Sequence, residues 1–321
     1  MTSATRGAGA RRAAAVAALV MVLAAVSAGL RPPPVRAEEP ELSPSAYVFY
    51  DAASQGDTAA VRSMLQDTPS LATLKYKNGV TALHAAALAD EPATVELLTR
   101  RGAFVDARGG TQQVTPLFLA VMKGHARVAG ALIAQHADVN AAGSIPGEEG
   151  ADDLRPLHLA AIGGRADLAD LLIQHGAVLS PRSSRGETPA EYAKMNGSLA
   201  VSLVLEAYGT LGLVRGRPVA ALIRAVSDTD SVAVARLLDR QPALANVSLM
   251  GGWSPLHLAA TTGSQAVCDA LLARHADPRA QETASGWTPA LRAQDSGHTA
   301  LGEYLRRLET TQPATRRAKP R

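Results

Sequence analysis

The sequence predicts an all-α solenoid of about eight helix-turn-helix units with short β-hairpin-like fingers. Three observations carry that expectation. A short phrase recurs along the 321 residues at intervals near 33. Hydrophobic residues make up 47% of the chain and aromatic residues only 3%, so the core must be built from Leu, Val, Ile and above all Ala. Small side chains on helices let neighbouring helices approach closely. Finally, 27 glycines and 19 prolines are spread along the chain, which fits punctuated folding units rather than a disordered tract.

Taken in order, residues 1–37 read as an export signal. Arg6, Arg11 and Arg12 form a basic start, residues 13–30 are an apolar run rich in Ala, and small residues permit cleavage after Ala28 or Ala37. A run of that length is at the edge of what spans a bilayer, so retention as an inner-membrane anchor formed by residues 13–30 is the alternative. The Arg11–Arg12 pair is followed by Ala-Ala-Ala, a weak twin-arginine pattern, and no cysteine follows the run to accept a lipid. The Ala-rich style is bacterial in type and places the mature chain in the periplasm or outside the cell. Residues 38–46 are a Pro-rich linker, residues 47–310 the repeat domain and residues 311–321 a basic disordered tail.

Charge follows the same division. Residues 1–37 hold five arginines and no acid, so the formal +3 of the whole chain becomes 27 basic against 29 acidic side chains once they are removed. That balance is a poor electrostatic match for nucleic acid.

The recurring phrase begins at Thr81-Ala-Leu-His84, Thr115-Pro116-Leu-Phe118, Arg155-Pro156-Leu-His158, Thr188-Pro189, Ser254-Pro255-Leu-His257 and Thr288-Pro289. Successive second residues are 34, 40, 33, 66 and 34 apart. The interval of 66 requires a degenerate copy near 221–222, and Ala221-Leu-Ile-Arg-Ala followed by Val232 to Leu238 supplies it. An earlier copy is indexed at Val48. Within one unit, Ser254 is placed to cap a helix and Pro255 occupies the first turn, where no N–H is needed. Leu256, Leu258, Ala259 and Ala260 make a short helix with a small face, and Gly263 ends it. Val267, Ala270, Leu271 and Leu272 repeat at helical spacing in a second helix. Neither helix can bury its apolar stripe alone, so stacking must supply the missing surface, at about 25 cal/mol per Å².

Two departures matter. The 40-residue interval adds about six residues to one finger, within 142–154 and including Glu148 and Glu149. The unit starting near Arg217 also ends like the first one: Pro242-Ala-Leu244-Ala245 matches Pro69-Ser-Leu71-Ala72. It reads as a second starter unit. The stack is then either continuous or two blocks, 47–214 and 217–310, with a hinge in 209–216.

The phrase and its period resemble the ankyrin repeat family, whose unit of about 33 residues carries Thr-Pro-Leu-His-x-Ala. The resemblance covers roughly residues 47–308. It makes Thr81, His84, Thr115, Pro116, Pro156, His158, Thr188, Pro189, Ser254, Pro255, His257, Thr288 and Pro289 structural motif positions. It implies that His84, His158 and His257 tie adjacent units by hydrogen bonds. It also implies a protein-binding scaffold with a concave face of fingers and first helices.

Other chemistries find little support. There is no G-x-S-x-G, no G-x-x-x-x-G-K-[ST] and no H-E-x-x-H. Every histidine falls on a repeat position, so no metal site is expected. Cys268 lies on a second helix beside Val267 and reads as packed. An enzyme using the repeats as a clamp would need a further domain of about a hundred residues, and the repeats leave no room for it. The expectation is therefore a monomeric, exported, non-enzymatic scaffold. It should bind a partner protein and neither nucleic acid nor a small-molecule substrate, and no cofactor is expected. A secreted effector acting on host proteins is the alternative. Contact positions fall on fingers: Arg108, Gln112, Glu148, Glu149, Arg182, Trp253, Arg279 and Trp287. Trp253 and Trp287 stand 34 residues apart at the same repeat position, as a hot-spot pair would.

Overall fold

A computed structural model of the chain describes residues 43–311 except 111, 146–152 and 284. The export signal, the start of the linker, Glu148 and Glu149, and the basic tail past 311 lie outside the described residues. The described chain is helical and divides into two compact units between Val201 and Ser202.

In the first unit two rows of short helices stack. The first-helix row is α1 (Pro44–Ser54), α3 (Ala82–Leu88), α5 (Pro116–Lys123), α7 (Pro156–Ile162) and α9 (Pro189–Met195), each packed on the next. The second row is α2 (Thr58–Asp67), α4 (Pro92–Arg100), α6 (Ala126–Ala134) and α8 (Ala166–Gln174), which pack in the same succession. Helix α1 starts at Pro44 rather than at residue 47, because a proline fits the first turn and the apolar pattern already runs through Ala46.

The helices are short because each is stopped at both ends. The Thr115 hydroxyl accepts the Phe118 N–H at 3.2 Å, Pro116 follows, and Gly124 closes α5 in the left-handed conformation at φ 80°. Between those stops nearly every side chain is buried: Ala82 to Ala87 in α3 and Pro116 to Met122 in α5. An interior first helix such as α3 or α5 has neighbours on both sides and its own second helix behind it, so most of its side chains are buried whatever their position. The second helices show the amphipathic stripe, with Val95 and Leu98 buried and Arg100 outside.

The fingers are thinner than hairpins. Each of three carries a single antiparallel bridge, Lys75 with Thr81, Gly109 with Val114 and Gly143 with Leu154, and no strand forms among the described residues. Adjacent fingers touch backbone to backbone. A Cβ added to Gly109 would lie 2.8 Å from Val80 Cα, so only glycine allows that approach.

The second unit holds α11 (Ser231–Arg240), α12 (Pro255–Thr262), α13 (Gln265–Leu272), α14 (Pro289–Asp295) and α15 (Thr299–Thr311). Helix α12 packs on α14, α11 on α13, and α14 on α15. Ahead of them runs α10 (Leu199–Ser227), which begins before the boundary between the units and is not one rod. Gly212 sits at φ 70° and ψ 176°, a conformation open essentially to glycine alone, and breaks it. The chain then doubles back. A Cβ on Gly216 would lie 2.7 Å from the Ala207 carbonyl oxygen, whereas nine helical residues would separate the two by about 13 Å.

The stretch after Gly212 repeats the start of the first unit. There, α1 and α2 lead to 3-10 turns at Pro69–Thr73 and Lys77–Gly79 and then to α3. Here the end of α10 and α11 lead to 3-10 turns at Pro242–Asn246 and Met250–Gly252 and then to α12. Even the caps agree. Asp57 accepts the Ala60 N–H at 2.9 Å, and Asp230 accepts the Ala233 N–H at 2.9 Å.

Candidate functional site

The fingers are held by the helices behind them, and the motif histidine is the pin. His84 Nδ1 accepts the Thr81 backbone N–H at 3.2 Å, which caps α3 and fixes the neutral tautomer with its proton on Nε2. That Nε2–H donates to the Val114 carbonyl of the next finger at 3.1 Å. His257 does the same between Ser254 N–H (3.1 Å) and the Trp287 carbonyl (3.0 Å). His158 joins Arg155 N–H (3.0 Å) to the Pro181 carbonyl (3.1 Å). Burial holds His84 down to about 4 and lowers His158 and His257 as well.

Where the ring is missing, something else explains it. Phe118 takes the place of His, and Gly143 of the next finger comes so close that a Cβ would lie 3.0 Å from the aromatic ring. Packing there replaces the hydrogen bond. Glu191 and Leu291 occupy the same place in α9 and α14. Glu191 turns inward to the start of its own helix, accepting the Thr188 N–H at 2.6 Å, and Leu291 is exposed. After each of them comes a second helix, and among the described residues no further finger of that series follows.

Side-chain amides make a second set of ties. Asn140 donates to the Gly176 carbonyl at 3.0 Å and accepts the Val178 N–H at 2.9 Å. Asn246 repeats the pair with the His275 carbonyl at 2.7 Å and Asp277 N–H at 2.8 Å.

The expected contact residues fall into three groups. Arg108 is exposed, but its guanidinium donates to the Gln113 and Ala142 carbonyls, each at 2.9 Å, and so clamps its finger to the next. Gln112 lies half-buried on the same finger. Arg182 is exposed on a later finger and bonds the Gly186 carbonyl across it. In the second unit Arg279 turns away from the fingers and donates to the Glu309 carbonyl of α15 at 2.6 Å. Trp253 and Trp287 come together there around a residue that the repeat pattern did not single out.

That residue is Arg292. Its guanidinium carbon stands 4.8 Å from the Trp253 ring centre and 4.5 Å from that of Trp287, a cation held between two aromatic faces. Glu282 grips it from below through both oxygens, at 2.5 Å to Nε and 2.8 Å to Nη2. Glu282 is only 4% exposed. Burial works against its charge, but hydrogen bonds from Arg292 and Ser285 outweigh burial and keep the carboxyl below its usual range. The signal in the sequence was a charged residue at a leucine position. Leu119, Leu159 and Leu258 stand three residues after their motif prolines, and Arg292 and Tyr192 stand there instead in α14 and α9. Tyr192 mirrors the arrangement on a smaller scale, edge-on to His158 with ring centres 5.7 Å apart and its hydroxyl donating to Glu187 at 3.2 Å.

Cys268 is buried, and burial pushes its thiol up to about 12. Among the described residues no three His, Cys, Asp or Glu side chains gather in a group that could hold a metal ion.

A family model of three tandem ankyrin repeats matches residues 49–143 and 221–314, and a single-repeat model matches residues 152–183. The chain belongs to the ankyrin repeat family. Ankyrin repeats are general protein-interaction modules, and here the histidine pins and finger ties described above are their connecting elements. Over 148 residues the chain is also 32% identical to a Caenorhabditis elegans protein described as a transient receptor potential cation channel subfamily A member 1 homolog. That match covers 46% of this chain and 12% of the channel homolog, so the chain spans only a small part of that relative's length.

Proposed function

We propose that this ankyrin repeat protein is a non-enzymatic scaffold outside the cytoplasm that binds a partner protein on its finger and first-helix face. The supporting observation is the immobilisation of the fingers. His84, Arg108, Asn140, His257 and Asn246 each bridge one unit to the next through backbone groups, so the face is ordered before a partner arrives. A preformed surface loses little conformational entropy on binding. The half-exposed Trp253 and Trp287 on the rigid Arg292 mount would serve as aromatic anchors in the second unit.

Photo-crosslinking amino acids at Gln113 and Arg182, both exposed on fingers, test the face against Arg100, exposed on a second helix. Partner adducts at the finger positions with position 100 silent are expected. Adducts at position 100 alone would move binding to the opposite face, and no adduct anywhere would end the proposal. Fractionation of the producing cells tests export. Recovery in the periplasm agrees with a resident scaffold, recovery in the medium with a secreted effector, and recovery with the membrane with retention through residues 13–30.

A further inference from the structure

By length and composition α10 is apolar enough to cross a membrane, yet the break at Gly212 makes it a hairpin rather than a rod. The tip of that hairpin is unusual. Leu211 is 39% exposed, Leu213 51% and Val214 88%, with Gly209, Thr210, Gly212 and Arg215 exposed around them. Nothing lies within 4 Å of a Cβ built on Gly209 or on Gly212. Arg215 and Arg217 are exposed and make no side-chain hydrogen bond or ion pair among the described residues. Elsewhere in this molecule arginines clamp carbonyls or carboxylates, as Arg108, Arg274 and Arg292 do. Three bare aliphatic side chains therefore sit on a protruding turn beside two bare guanidinium groups.

We propose that this tip is a contact for an anionic lipid surface. Leu211, Leu213 and Val214 would enter the boundary between headgroups and acyl chains, while Arg215 and Arg217 would pair with headgroup phosphates. The local shape favours a bilayer over a protein. A turn offers no groove for another chain to fill, but it can press into a soft surface. The apolar residues lie at the apex and the cations immediately behind it, the order that an interface of hydrocarbon beneath phosphate requires. Three side chains and two charges give reversible attachment, weakened by salt.

The test uses the full chain carrying Leu213→Cys and an environment-sensitive thiol-reactive dye, with Val232→Cys, 56% exposed on α11, as the control site. Native Cys268 is wholly buried and stays unlabelled. Vesicles of equal parts phosphatidylglycerol and phosphatidylcholine should shift the emission of the dye at position 213 to the blue and leave that at position 232 unmoved. A dye on Val214→Cys should behave like that at 213. Adding Arg215→Glu and Arg217→Glu should weaken the vesicle affinity read by that shift by about tenfold or more. The proposal is overturned if the tip dye does not shift, if the control dye shifts equally, or if phosphatidylcholine alone gives the same shift. A shift that grows with protein concentration in the absence of vesicles would overturn it too, assigning the tip to a second copy of the chain.

Discussion

His84 carries one proton because both ring nitrogens are already committed: Nδ1 accepts from Thr81 and Nε2 donates to Val114. A second proton would have to displace the Thr81 N–H in a dry site. The unfolded histidine titrates near 6.5 and the folded one near 4, so between those values the unfolded chain binds more protons. Stability is therefore complete above about 6.5 and is lost as pH falls toward 4, by an amount on the order of 3 kcal/mol for this residue. Thermal melts from pH 7.5 to 4.5 should show the decline, and His84→Phe, which copies the solution the next unit reaches with Phe118, should lessen it and leave the parts due to His158 and His257. The Arg292 site makes a prediction of its own. Arg292→Leu restores the residue other units use but strands the buried Glu282 carboxylate, and should cost about 3 kcal/mol in urea denaturation. Adding Glu282→Gln should recover part of that loss. Of these two sites only the first was legible in advance, because a ring recurring with the period declares its role. The 34-residue interval set the two tryptophans on neighbouring fingers, but nothing in the repeat marked Arg292 as the cation between them.

At the level of elements, the periodicity located every helix pair, since capping residues with Pro or Gly recur near the ends of most first helices. It placed the start of α1 late because Ser43-Pro44 looks like linker. It also made the fingers look more sheet-like than they are. With only one bridge each, they depend for their order on the bonds to neighbouring units rather than on their own pairing. The sequence marked 209–216 as a joint through its three glycines, but not which one turns the chain. Gly212 does so, and Gly212→Ala should cost about 1–3 kcal/mol in the same denaturation assay, because a Cβ is strained at that φ and ψ whatever space surrounds it. Gly209→Ala, with open space around it and no positive φ, should be near neutral or slightly stabilising.

Within each unit, helices pack on those of neighbouring repeats, and stability in such proteins is close to a sum over repeats and their interfaces. The second unit contains its own starter-like elements after Gly212, followed by the pairs α12–α13 and α14–α15. A fragment of residues 202–311 should accordingly unfold cooperatively by itself when followed by circular dichroism. A fragment that melts without a transition would mean that the starter-like elements there cannot open a stack unaided. The doubling of the opening elements was visible in the sequence as the matched Pro69 and Pro242 segments. The compact boundary between Val201 and Ser202 was not, since it falls in the helical start of α10, well ahead of the break at Gly212.

The replacement of the ring by Glu191 and Leu291 also bears on how this gene can lengthen. A copied repeat appended after α15 would meet a side chain with no proton to offer its incoming loop. The same copy inserted behind His84 or His257 would find a donor waiting. A copy placed behind Glu191 or Leu291 would instead have to be held by packing, as Phe118 holds Gly143, so the residue facing it would have to be small.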